Sequence, residues 1–384
     1  MNVMKPVSGI YRVALKLLMN DKSKFTALLV GITFAVFLMV MMMSMFSGIL
    51  ARSCAPVYNI GAKIWVMDPA VNNTNSSIPM PDYILSASRS IPGVKYAVPL
   101  YFGSALVKLK DGTYQAATVV GLDDATLFGR PEMLEGRIED VFAENAFVVV
   151  KDAEYAKLES PKIGTQFEIN DNRGTVVGLA KVASSGLFGI PTLYTTYNRA
   201  ITYIPSARFT ISYVLIEPKS EADVPGIQKA IAKLGYEALT REQFVQKVSN
   251  FYTFKTGVGI NILMMTGISF VVGLSISGQT FYTFILENIG KFGAMKAIGA
   301  KGNELVSMIL VQAVVTSLIG YGLGVGAAST FMIVAKLRMP DYAAQLTYQT
   351  LGLALVMVMI IAAVSSYIGV RKVLQIQPFD IFRG

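Results

Sequence analysis

Four long stretches without charge divide this chain, one before and three after a polar segment of about two hundred residues. Phe25–Ala51, Thr256–Leu286, Leu305–Ala335 and Tyr342–Val370 run for 27, 31, 31 and 29 residues without Asp, Glu, Lys or Arg. Each is rich in Leu, Ile, Val, Met and Phe. A bilayer core takes roughly 20 apolar residues of helix, because lipid offers no partner to an unpaired backbone group. The pattern predicts membrane α plus extracytoplasmic α/β: four transmembrane helices in one-plus-three order, with a large mixed α/β domain inserted between helices 1 and 2. The expected segments are a basic interfacial helix at 1–24, helix 1 with its stalk at 25–51, the inserted domain at 52–255 and helix 2 at 256–286. A connecting helix at 287–304, helix 3 at 305–335, a short loop at 336–341, helix 4 at 342–370 and a tail at 371–384 follow.

Inside the insert the period changes. Ala62–Met67, Tyr96–Leu100, Ser104–Lys110, Gln115–Gly121, Phe147–Lys151, Gln166–Asn170, Thr175–Val182 and Ile211–Glu217 are short β-branched or aromatic runs bounded by turn formers, and read as strands. Asp82–Ser90, Asp152–Leu158, Val224–Leu234 and Arg241–Tyr252 carry helical spacing. Lys110-Asp111-Gly112-Thr113 predicts a hairpin turn, since glycine takes the positive φ that such a turn needs. Ahead of the first span, Ile10, Val13, Ala14, Leu17 and Leu18 recur opposite Arg12 and Lys16, the pattern of a short helix lying on a membrane surface. The charged leader is long for a cleaved signal, so the first span reads as an anchor. Arg241–Leu286 reads as a nearly continuous helix, and spans 1 and 2 are long enough to project as a stalk.

Charge fixes the expected orientation. The insert Arg52–Lys255 holds 21 Lys+Arg against 20 Asp+Glu, whereas the remainder holds 13 against 5. Lys5, Arg12, Lys16, Lys22 and Lys24 precede span 1; Lys291, Lys296 and Lys301 lie between spans 2 and 3; Arg371, Lys372 and Arg383 follow span 4. The positive-inside rule puts these clusters in the cytoplasm, with both termini, and the insert outside. The basic excess is thereby explained without nucleic acid. Composition agrees: hydrophobic residues make up 53% and charged residues 15% of the chain.

Chemistry is sparse. The chain has no histidine and one cysteine, Cys54, so the commonest general base, the commonest zinc ligand and any internal disulfide are excluded. No phosphate loop or nucleophile elbow is present, and Asp123, Asp124, Glu135, Glu139 and Asp140 read as solvated loop carboxylates. Gly320, Gly322, Gly324 and Gly326 give two small-xxx-small pairs, a helix-packing face in a membrane. The connecting segment Glu287–Glu304 presents Ile289, Phe292, Met295, Ala297 and Ile298 as apolar surface, keeps Lys291, Lys296 and Lys301 polar, and offers Gly299 as a helix stop. The expected protein is not an enzyme.

These residues carry a resemblance. Lys291–Ala300 resembles the E-x-G-x-x-K-A-[IL]-G-A coupling-helix segment of the MacB/FtsX-like permease superfamily, with Gly290 and Gly293 flanking it. The span order is similar, as are Gly121-Leu122-Asp123, Leu134-Glu-Gly-Arg137, Ile163-Gly164 and Val176-Val-Gly178, in family order. The tail Ile376–Phe382 is similar to the family's closing motif, and span 1 with its flanks looks closest to the DevC branch.

The resemblance implies a permease subunit of a type VII ABC exporter in the bacterial inner membrane. Such a subunit dimerises and binds a separate cytoplasmic ABC ATPase dimer that carries ATP and Mg, with no cofactor of its own. A periplasmic adaptor and an outer-membrane channel complete the pump. Glu287, Lys291, Phe292, Met295, Lys296, Ile298 and Gly299 are then the ATPase-coupling residues, with Pro378 and Phe379 in support. The implied mechanism is mechanotransmission: ATPase closure pushes the coupling helix and the outer domains drive substrate out. The alternatives are a permease that extracts lipids or lipoproteins, where Met39–Met45 would line a groove, and a non-transporting transmitter that activates a cell-wall hydrolase.

Overall fold

The computed structural model describes residues 6–182, 189–204, 211–339 and 342–374. In chain order its elements are α1 (Pro6–Asn20), α2 (Lys22–Ile60), β1 (Ile64–Met67), α3 (Tyr83–Arg89), β2 (Val94–Lys108), β3 (Tyr114–Leu122), β4 (Glu132–Glu135), β5 (Ala146–Val150), β6 (Gln166–Ile169), β7 (Asn172–Lys181) and β8 (Thr192–Thr196). There follow α4 (Tyr197–Tyr203), β9 (Tyr213–Pro218), α5 (Val224–Lys233), β10 (Glu237–Thr240), α6 (Arg241–Asn250), α7 (Gly257–Glu287), α8 (Ile289–Ala297), α9 (Gly302–Arg338) and α10 (Tyr348–Leu374). The chain divides into a helical unit and an α/β unit, the latter built on Ile49–Val258.

Among the described residues, α2, α7, α9 and α10 are long and apolar enough to cross a membrane. Small residues set their spacing. A β-carbon added at Gly320 would come within 2.6 Å of Ile32, and one at Gly324 within 2.6 Å of Val36, so α9 packs closely on α2. Gly322 and Gly326 face open space, so the two expected pairs separate: one meets α2 and the other faces away from the chain's own helices. Phe37 and Phe331 meet edge to face at 6.0 Å, and Tyr321 Oη donates to the Leu351 carbonyl at 3.1 Å. Lys336 and Arg338 lie in the last turn of α9, where cations favour the helix dipole, and not in a separate loop.

Helix α1 docks on α9 through Ala14 and Leu18, both buried. Its expected apolar stripe is divided, because Val13 stays exposed. Met39 and Met41 are buried, which fits the packing role of an unbranched, adaptable side chain.

In the α/β unit the pairing order is β10-β1-β9-β2-β3-β8-β5-β7-β4, with β6 joining β2 to β7. The first four strands, all antiparallel neighbours, alternate with α3 and α5 in a ferredoxin-like β-α-β-β-α-β arrangement. Because side chains alternate along a strand, Ile64 and Val66 join the core under Ile84, Ile227 and Ile231, while Trp65 and Met67 join Phe244 and Val248 of α6. Cys54, Val57 and Ile60 enter that second core, so the last turns of α2 belong to the α/β unit. Trp65 anchors it, edge-on to Tyr213 at 5.3 Å and tilted on Phe244 at 5.4 Å.

The remaining strands close a circuit, β2-β3-β8-β5-β7-β6-β2, around Val107, Val119, Phe147, Val149, Ile169, Val176 and Leu193. This six-stranded barrel is inserted between β2 and β9. The two strands expected over Tyr96–Leu100 and Ser104–Lys110 are one: β2 pairs β9 through Leu100 and β3 from Tyr101 onward. The predicted turn forms, with Gly112 at φ +85° and Leu109 N donating to the Thr113 carbonyl at 2.8 Å.

Two helical expectations fail. Asp152–Leu158 is only a 3-10 turn at Tyr155–Leu158, ended by the left-handed Glu159. Arg241–Leu286 is interrupted: α6 passes into a π-turn at Phe251–Lys255, then Thr256 adopts extended φ −102°, ψ 153° before α7 begins. Thr256 N donates back to the Phe251 carbonyl at 3.1 Å, and its hydroxyl to Tyr252 at 2.8 Å, bonds that replace the next helical turn.

Candidate coupling site

Helix α7 ends at Glu287, and Asn288 turns the chain into α8. The Asn288 side-chain amide donates to the Phe284 carbonyl at 2.8 Å, and its oxygen accepts from Lys291 Nζ at 2.8 Å. One side chain thus closes the old helix and engages the new one.

The far end of α8 closes by its backbone. Gly299, at φ +109°, donates from its N–H to the Lys296 carbonyl at 3.1 Å, while Ala300 N donates to the Met295 carbonyl at 3.0 Å. These are the paired bonds of a Schellman stop, and a β-carbon at Gly299 would strain it. Lys301 N then donates to Glu304 Oε2 at 2.8 Å, starting α9.

The expected coupling residues take different positions. Phe292 is 0% exposed, so it holds α8 to its own helices and is corrected from a partner-facing residue to a packing one. Ile298 is 88% exposed, and Met295 is half-buried. Both line an open recess of about 340 Å³ with Gly9, Val13, Ala300, Glu304 and Met308. Helix α1 therefore supplies part of the wall, a contribution that spacing within 287–304 could not reveal. Lys291 is exposed, and Lys296 Nζ donates to the Leu374 carbonyl at 3.3 Å. Glu287 pairs with Lys24, which also pairs with Asp21 at 3.1 Å and holds that carboxyl below the usual Asp value. Pro378 and Phe379 lie outside the described residues.

The recess is lined mainly by apolar groups, with Glu304 as its one charged residue among the described ones. Among the described residues, four helices are long and apolar enough to cross a membrane, and the α/β domain lies between the first and second of them. The chain belongs to the family of the MacB-like periplasmic core domain, which matches residues 26–234; an FtsX-like permease C-terminal domain matches residues 262–378.

Among its relatives is the macrolide export ATP-binding/permease protein MacB of Rhodopseudomonas palustris, 29% identical over 130 residues, 33% of this chain and 20% of the relative. The chain thus spans about a fifth of that protein's length. The ABC transporter permease YknZ of Bacillus subtilis is 23% identical over 283 residues, 70% of each chain. The periplasmic region of MacB from Actinobacillus actinomycetemcomitans superposes with a TM-score of 0.38 and 12% identity, over 50% of this chain and 96% of that one.

Proposed function

We propose that this chain is the permease subunit of an ABC-type exporter in a bacterial inner membrane, working as a homodimer. A separate cytoplasmic ATPase carries ATP and Mg and seats an apolar side chain in the recess formed by α1, α8 and α9. The observation that carries the reading is Ile298, 88% exposed at a Schellman-stopped helix end. With Met295, Val13 and Met308 it makes a continuous apolar patch at the recess, which an apolar side chain of a partner would cover.

In this reading the ATPases draw together on ATP and push α8. Helix α2, unbroken over 39 residues or about 58 Å, is longer than a roughly 30 Å bilayer core and carries the movement into the α/β domain. That domain drives substrate outward with a periplasmic adaptor and an outer-membrane channel, and substrate does not cross the membrane through this chain. Lys291, Lys296 and Lys301 lie in the same 287–304 segment as Met295 and Ile298, so the ATPase surface facing that segment carries acidic groups, while Glu304 lines the recess itself.

The test is mild-detergent purification of the chain from native membranes, with co-purifying proteins identified by mass spectrometry. An ATPase and an adaptor together support the exporter reading. An ATPase alone moves it to lipoprotein extraction, a Gram-positive-type exporter without an adaptor, or hydrolase control, and no ATPase refutes it.

A further inference from the structure

The α/β unit holds a recess that coupling does not use. It lies between the last turn of α2 and strands β2, β3 and β8, with a volume of about 180 Å³. Ile60 and Phe102 give it an apolar wall, and Asn75, Ser104, Thr192 and Tyr194 bring amide and hydroxyl groups. Among the described residues, no Asp, Glu, Lys or Arg lines it.

Tyr194 sets the chemistry. It is 2% exposed, yet among the described residues no hydrogen-bond partner is placed on its hydroxyl. The hydroxyl oxygen is not sealed from solvent, so it can exchange water for the acceptor of a ligand in the recess. Burial, with a smaller effect from Asp152, pushes this hydroxyl above the ordinary tyrosine value, so it remains a proton donor at any physiological pH.

Size and charge narrow the ligand. A cavity of about 150 Å³ accommodates a benzene ring, so this recess admits one six-membered ring with a substituent. A charged group would lose hydration and find no counter-charge among the lining residues. An apolar wall with a few convergent polar groups is the usual composition of a small-molecule site.

We propose that this recess binds an uncharged, ring-sized group that accepts a hydrogen bond from Tyr194, as the sugar ring of a neutral glycoside does. Because α2 forms one wall and the barrel the other, an occupant bridges the two. Binding requires neither ATPase nor transport, so it is tested independently of the exporter reading.

The full chain in lipid nanodiscs is titrated with phenyl β-D-glucoside and, separately, with phenyl β-D-glucuronide, using saturation-transfer NMR against empty nanodiscs. The neutral glucoside binds saturably, and the glucuronide at least about tenfold more weakly, since its carboxylate lacks a partner. Tyr194→Phe weakens glucoside binding about fivefold to tenfold at unchanged unfolding temperature. Ser104→Trp, a change at an exposed rim position, abolishes it and keeps the test open should Tyr194→Phe misfold. Absence of saturable glucoside binding, equal binding of both probes, or unchanged affinity in a folded Tyr194→Phe chain overturns the proposal.

Discussion

Gln312 Nε2 donates a hydrogen bond to the Ala14 carbonyl at 2.8 Å, with both residues fully buried. That bond ties α1 to α9 and so fixes one wall of the candidate coupling recess. Interhelical bonds of this kind are worth about 0.6–1.7 kcal/mol in membranes. Gln312→Leu therefore frees α1, and trypsin cleaves near Lys22 and Lys24 severalfold faster in nanodiscs. Unchanged cleavage would mean that Ala14 and Leu18 suffice to hold the helix.

The α2–α9 seam has little tolerance for added volume. Gly324→Leu forces its side chain into Val36 and costs about 1–3 kcal/mol, seen as a lower thermal midpoint in detergent. Gly322→Leu and Gly326→Leu meet open space within the chain and leave the isolated chain's midpoint unchanged. Equal losses at all four glycines would contradict the division of the two pairs.

Glu154 is a fully buried carboxylate, 3.0 Å from Lys157 Nζ and 3.7 Å from Arg52 Nη1. Glu154→Ala leaves both cations facing a cavity. The expected cost is about 3 kcal/mol, the low end for a broken buried pair because both cations keep some contact with water. Arg52→Ala costs less, since Lys157 stays in place. Thermal unfolding of the two variants, compared directly, checks the order.

Burial raises the Asp124 carboxyl above the ordinary Asp value, outweighing the hydrogen bonds it accepts from the α4 backbone. An acid whose folded value is raised binds its proton more tightly when folded, so its ionised form opposes folding at neutral pH. Asp124→Asn is accordingly the more stable chain at pH 7, and its advantage disappears below about pH 4, where the carboxyl is neutral in folded and unfolded chains alike. A constant difference across that range would contradict the burial account.

How far the sequence foretold this structure depends on whether a position is decided locally. Spans of apolar residues announce themselves because lipid demands them, and the core strands alternate as a half-buried sheet requires. Strand β10, Glu237–Thr240, was not legible: Glu-Ala-Leu-Thr has no strand preference and pairs only because β1 offers an edge. The same holds for β4, Glu132–Glu135, along the edge of β7. In contrast, β8 was available from its Thr-Leu-Tyr-Thr-Thr run after Pro191.

The break at Thr256 was hidden because charge spacing says where a stretch is apolar and not where its helix is interrupted. At the candidate coupling site, Gly299 was readable from the helix stop it provides. The burial of Phe292 and the contribution of α1 depend on tertiary packing, so the pattern of residues 287–304 placed Phe292 and Ile298 on one apolar surface when only Ile298 is exposed.

The central claim is that Ile298 and its recess receive the ATPase, and the most direct measurement is ATP hydrolysis by the reconstituted complex with Ile298→Asp. The account predicts that the folded variant loses ATPase binding and stimulated hydrolysis by at least about tenfold, while keeping the wild-type thermal midpoint, because an exposed position tolerates the charge within the chain. Full stimulation in a folded Ile298→Asp complex would contradict it.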